Sequence, residues 1–248
     1  MGNLIKYEFR KSWVIKAIIL VFTGIFELMF LAGVLFNKDD LFGFGTAFLT
    51  LTTICALFSM GIYGIFKLHK DLTTKQSYML FMTPNNSYKI LGAKLIENAG
   101  SILIAGIFYI ILALADIAIT LAVDGQINDA VIIINDIWGA EFDSCKISLI
   151  GLDMTVVWIF TVIIGYLAVI ISASILNGKK FSGLISFIIF LVITSVVEKI
   201  HSAGLGILGV DTMGFSTGRI IYSLIYYIVF TVIAYVVSAW IMDNKLSV

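Results

Sequence analysis

The chain has 248 residues, 60% of them apolar and 13% charged, where a soluble domain carries about 25% charged residues. Its mean hydropathy is +1.05, and a soluble domain of this size buries only about three quarters of the surface its unfolded chain exposes. A soluble enzyme, a disordered tail and a collagen-like chain are excluded; two cysteines cannot staple it as a disulfide scaffold, and sixteen basic against sixteen acidic residues leave no footprint for nucleic acid.

In chain order, the first segment is Asn3 to Trp13. On a helix, Ile5, Phe9 and Trp13 share one stripe, with Lys6, Arg10 and Lys11 away from it. That pattern predicts an amphipathic helix in the membrane plane (residues 1–13). Charges running to Lys16 and an over-long apolar stretch argue against a cleavable signal, and Lys6 argues against myristoylation.

A helix crossing the hydrocarbon core needs about 20 apolar residues. Spans 1 and 2 are expected at Val14–Phe36 and Gly45–Phe66 (residues 14–66). A cytoplasmic connection, 67–94, follows. There Asp71 is expected to cap a short helix from Leu72 to about Phe81, ending before Pro84. This helix would offer Thr74, Lys75, Ser77 and Tyr78 on its exposed face. Asn85, Asn86 or Ser87 would cap a second helix, carrying Tyr88, Ile90, Leu91 and Lys94 into span 3 at Ala99–Val123.

Beyond span 3 lies an outer segment, 124–151, acidic at its ends and apolar at Ala130–Ile134, Ile137 and Trp138. It suits a short helix on the outer interface. Span 4 is expected at Leu152–Leu176 and span 5 at Phe181–Val197. The second outer segment, 198–218, has glycines at 204, 206, 209, 214 and 218 alternating with apolar residues. It reads as either a re-entrant wall or an outer loop, because non-helical backbone at depth needs protein or a water-lined cavity around it. Span 6 is expected at Ile220–Met242. The fold class is an all-α integral membrane protein, with 1–248 forming one transmembrane domain and spans 3–6 in 95–248.

Six spans put both termini on one side. That side holds Lys6, Arg10, Lys11, Lys16, Lys67, Lys70, Lys75, Lys89, Lys94, Lys179, Lys180 and Lys245. The other holds Lys38, Lys146, Lys199 and Arg219. The positive-inside bias therefore predicts cytoplasmic termini.

No catalytic constellation is visible. A phosphate loop, an H-E-x-x-H pair and a G-x-S-x-G elbow are all missing from the sequence. His69 and His201 fall on opposite sides of the predicted membrane, so they cannot share a metal. An enzyme is not expected. Intramembrane acids are functional candidates by default, which singles out Glu27 in span 1 and Asp116 in span 3 as pathway residues. Each also reads as a carboxyl bonded to a neighbouring helix. The small residues Gly61, Gly64, Gly165, Ala168, Ser172 and Ala173 permit close helix packing.

KYEFRK near the N-terminus and YMLFMTPNNSYKILGAKL after span 2 resemble the membrane (permease) subunits of type-2 ABC exporters, in particular the separate permease chains of Gram-positive bacteria. The loop motif is the more specific of the two. The resemblance implies a bacterial plasma-membrane permease that forms a translocation pathway with a second permease chain, either a copy of itself or a sister. It implies no cofactor in this chain, with ATP and magnesium held on a separate cytoplasmic ABC ATPase. It further implies that the helix from Asp71 to Phe81 is the coupling helix that enters the ATPase, through Asp71, Leu72, Thr74, Lys75, Gln76, Ser77, Tyr78 and Phe81. Among the cargoes of that class, the apolar spans favour an amphipathic peptide, a drug or another hydrophobic molecule. Two other classes compete: an ion-coupled transporter using Glu27 and Asp116, and a membrane partner of an ATPase that transports nothing.

Overall fold

A computed structural model describes residues 2–73, 86–124, 144–176, 181–207, 209 and 216–246. Among them are seven α-helices: α1 (Gly2–Lys11), α2 (Trp13–Leu35), α3 (Asp39–Thr73), α4 (Ser87–Asp124), α5 (Ser144–Leu176), α6 (Ser182–Ile207) and α7 (Thr217–Ile241). A π-helical turn, Met242–Leu246, ends the described chain. Six of these helices are long and apolar enough to cross a membrane. The described residues build an all-helical, multi-pass membrane protein.

Several helices run past the apolar stretches that reveal them. α3 continues through Lys67 to Thr73, so Asp71 and Leu72 lie in its last turns instead of starting a separate helix. The reason is that Asp71 finds a partner, the Lys94 ammonium, which holds it inside a packed helix pair. α5 begins at Ser144, so 144–151 is continuous with the helix of span 4 and is not part of a separate outer segment. α6 extends through Glu198 to Ile207, so that stretch is neither re-entrant nor a loop. Gly204 and Gly206 are helical there, and a Cβ at Gly204 would overlap the Tyr222 hydroxyl. The left-handed backbone of Gly209, at φ +63°, follows the end of the helix.

α1 stops at Lys11, and Trp13 opens α2, so the expected stripe Ile5, Phe9, Trp13 is split between two helices. The Ser12 hydroxyl at the break donates back to the carbonyls of Glu8 (3.3 Å) and Phe9 (3.1 Å). Asn86 opens α4, its side-chain oxygen accepting from the Tyr88 N–H at 3.4 Å.

The helices group into two compact units. The first comprises the described parts of 1–5, 61–99 and 143–248. Its hub is α5, which is apolar all round and accordingly buried on two faces. One face (Val162, Tyr166, Val169, Ile170) packs with Leu68, Ile90, Leu91, Ala239 and Met242. The other (Phe160, Ile163, Ile164, Leu167) packs with Val197, Tyr227 and Ala234. Small residues let the backbones approach. A Cβ on Gly61 would lie 2.8 Å from the Trp158 ring, and one on Gly165 would overlap Ile65. The Ser172 hydroxyl donates to the Ser182 carbonyl at 2.7 Å, tying α5 to α6.

The second unit comprises the described parts of 6–60 and 100–142. α2 and α3 form a tight hairpin in it. Asn37 takes a left-handed φ of 49°, which asparagine tolerates better than most residues, and the Lys38 N–H donates to the Gly33 carbonyl at 3.1 Å. A Cβ on Gly33 would strike the Phe42 backbone, and one on Gly45 would lie 2.7 Å from the Phe30 backbone. Phe30, Val34 and Leu49 make one small core, and Ala56, Ala105 and Tyr109 another.

Candidate functional site

Within the first unit, the ends of α3 and α4 form a stalk. α3 has 35 residues and α4 has 38, where about 20 suffice to span. The surplus includes Lys67–Thr73 of α3 and Ser87–Asn98 of α4. Four charged side chains of this stalk are buried: Lys67, Asp71, Lys94 and Glu97, each no more than 6% exposed. They pair crosswise, Lys94 with Asp71 and Lys67 with Glu97, the latter at 3.9 Å. Burying such charges unpaired would cost several kcal/mol each, so the two pairs hold α3 and α4 in one register. Gly64 lets Asn98 in close, and a Cβ there would overlap the Asn98 amide.

The base of α4 is fixed from the other end of the chain. The Tyr235 hydroxyl donates to the Tyr88 carbonyl at 2.7 Å, with the two rings edge-on. The Ser87 N–H donates to Asp243 Oδ1 at 3.3 Å, and a carboxylate at a helix N-terminus also suits the helix dipole. Of the residues predicted to reach an ATPase, Asp71 and Leu72 are thus stalk residues. Thr74, Lys75, Gln76, Ser77, Tyr78 and Phe81 lie outside the described residues, as do Ala130–Ile134, Ile137 and Trp138.

The candidate pathway acids meet within the second unit. The carboxyls of Glu27 on α2 and Asp116 on α4 are close enough to act on each other electrostatically. Neither Glu27 Oε2 nor Asp116 Oδ1 has a donor from another residue. Both side chains are half-buried.

Of the predicted interfacial residues, Lys6 and Arg10 are exposed, Ile5 and Phe9 half-buried, and Trp13 exposed. Lys6, Phe9, Arg10 and Trp13 line the mouth of a cavity of about 620 Å³ in the second unit, which continues along α2 past Lys16, Ile19 and Leu20 to Thr23. Its opposite wall is Ser101, Ile104, Ala105, Phe108 and Tyr109 of α4. The Lys16 ammonium sits 4.3 Å above the centre of the Phe9 ring. At the far end, the Thr23 and Tyr109 hydroxyls bond to each other at 2.9 Å.

Sequence reasoning missed one cluster. His201 of α6 is buried among Tyr222, Tyr226 and Tyr227 of α7, with ring centres 5.0–5.3 Å away. His201 Nε2 bonds Ser223 Oγ at 3.1 Å. The Tyr227 hydroxyl donates to Glu198 Oε1 at 3.0 Å, and the Tyr226 hydroxyl donates to the Val197 carbonyl at 2.7 Å. Asp153 and Arg219 also act on the imidazole electrostatically. The sequence signal was available: Tyr222, Ser223, Tyr226 and Tyr227 fall at i, i+1, i+4 and i+5, one face of a helix.

Comparison with protein-family models, with characterised proteins and with solved structures finds no match to the chain.

Proposed function

We propose that this chain is the permease subunit of an ATP-driven exporter, working as a pair of permease chains on a separate cytoplasmic ABC ATPase. What supports this reading most is the stalk. A segment meant to receive a push must be joined to the spans by something stiff. Residues 74–85 are flanked by α3 and α4, whose ends are clamped by the Asp71–Lys94 and Lys67–Glu97 pairs. Force on Thr74, Lys75, Gln76, Ser77, Tyr78 or Phe81 would pass into helices that continue into spans 2 and 3. An ATP-driven partner can shift the spans only through differential affinity for their two states. The resemblance of YMLFMTPNNSYKILGAKL to the coupling loop of type-2 exporters points the same way. On this reading α1 lies in the membrane plane, both termini are cytoplasmic, and the membrane is a bacterial plasma membrane. The cargo is an amphipathic peptide, a drug or another hydrophobic molecule.

The test is co-expression with any ABC ATPase encoded next to this chain's gene, followed by co-purification and ATP hydrolysis. The pair should purify together, and Lys75→Glu with Tyr78→Ala should lower hydrolysis about tenfold, the loss expected when an interface anchor and a charge are removed. Failure of any such ATPase to bind would remove the reading.

The nearness of two acids on apolar helices, Glu27 and Asp116, favours a second reading, a proton-coupled transporter. Glu27→Gln with Asp116→Asn would abolish transport driven by a proton gradient and leave ATP-driven transport largely intact.

A further inference from the structure

The cavity along α2 and α4 has a directional chemistry. Its charged lining residues are all cationic: Lys6, Arg10 and Lys16. They cluster at one end, beside Trp13, a residue type enriched at membrane interfaces. Further in, the walls are apolar. From Trp13 to Thr23 is ten residues of α2, or about 15 Å at the helical rise. That depth is about half of a 30 Å hydrocarbon core, the reach of one acyl chain in one leaflet. Trp13, Leu20 and Ile104 are each more than 60% exposed, so the slot is open along its side. Its floor offers a peptide little, because the Thr23 and Tyr109 hydroxyls are bonded to each other and Thr23 also donates to the Ile19 carbonyl. A peptide backbone placed there would leave its own polar groups unsatisfied at depth. An acyl chain has none.

We propose that this slot is a binding site for one anionic phospholipid, its headgroup phosphate on Lys6, Arg10 and Lys16 and one acyl chain between α2 and α4. The site takes phosphatidylglycerol-type lipids in preference to zwitterionic ones. It lies on the side that the positive-inside reading makes cytoplasmic, where juxtamembrane basic residues attract anionic lipids. The proposal stands apart from the ATPase reading, since it needs no partner protein.

The experiment uses the full chain in nanodiscs of phosphatidylcholine with a minor fraction of phosphatidylglycerol, one lipid or the other carrying brominated acyl chains. Bromine quenches tryptophan on contact, and the difference between the wild type and Trp13→Phe isolates the Trp13 signal. Brominated phosphatidylglycerol should quench Trp13 more strongly than the same amount of brominated phosphatidylcholine. Exposed ion pairs each contribute modestly, so three together set a preference of about tenfold. Lys6→Gln with Arg10→Gln and Lys16→Gln should abolish it. Lys6→Gln with Arg10→Gln, which keeps the Lys16 contact with Phe9, should lose part of it, and Lys199→Gln should keep it whole. Equal quenching by the two lipids overturns the proposal, as does a preference that survives the triple substitution or disappears with Lys199→Gln. Quenching relieved by an added anionic amphipathic peptide would assign the slot to peptide and overturn the lipid.

Discussion

The two units fix their helices by different means. In the first, α3 and α4 are locked by two buried ion pairs and by a hub helix that is apolar on every face. In the second, α2 and α3 are locked by glycines that bring backbones together, and the helices leave an open, lipid-sized slot. Paired charges at a helix end specify register, because a slip of one helix past the other would part each buried charge from its opposite. Glycine contacts specify distance alone. The first arrangement suits a part that must transmit force without slipping. The second suits a part that must hold its shape while facing lipid.

The sharpest way to break this contrast is to unpair the stalk. Asp71→Ala leaves the Lys94 ammonium buried without its carboxylate, and loss of one member of a buried pair costs about 3–5 kcal/mol. Thermal unfolding of the purified chain in detergent should shift accordingly. Asp71→Leu with Lys94→Leu removes both charges and should recover most of the loss, since an apolar replacement for a buried pair is often neutral. If the single and the double substitutions cost the same, the pair does not set the register.

In the second unit the corresponding experiment adds a methyl group. Gly33→Ala places its Cβ against the Phe42 backbone, which cannot swing aside as a side chain can. Overpacking of this kind costs about 1–3 kcal/mol. Gly24 lies on the same helix with nothing within 4 Å of an added Cβ. Gly24→Ala should leave stability unchanged or raise it by up to about 1 kcal/mol through helix propensity. Equal effects at the two sites would mean that the α2–α3 hairpin does not depend on backbone contact.

The same contrast explains what could be read from the sequence. All six spans were legible, because continuous apolar stretches of about 20 residues have one common solution in a bilayer. The ends of those helices were not. Lys67–Thr73 is rich in charge, and Glu198–Ile207 contains two glycines, so both look like loops. They are helical because distant residues answer them: Lys94 takes Asp71, and Tyr222 fills the space over Gly204. Such answers come from tertiary structure, which periodicity does not report. The site divides in the same way. The sequence placed Ile5, Phe9 and Trp13 on one stripe, which the break at Ser12 divides between two helices, and the convergence of Lys6, Phe9, Arg10 and Trp13 with Ile104, Phe108 and Tyr109 on one slot depends on how α2 and α4 pack. Glu27 and Asp116 stood out as acids in apolar helices, yet only the fold brings the two near each other.

The smallest expected effect concerns the floor of the slot. Tyr109→Phe deletes the hydroxyl that bonds Thr23 at 2.9 Å. An average buried hydrogen bond contributes about 1 kcal/mol, and most of the cost of losing one comes from the partner left unsatisfied. Here the partner keeps a bond, because the Thr23 hydroxyl also donates to the Ile19 carbonyl at 2.9 Å. The substitution should therefore cost about 0.5 kcal/mol or less, read as a small shift in thermal unfolding. It should also leave the lipid preference intact, since that preference arises at the cationic mouth. A large loss of stability would show that the second unit, like the first, is held by a polar contact, and would narrow the difference between them.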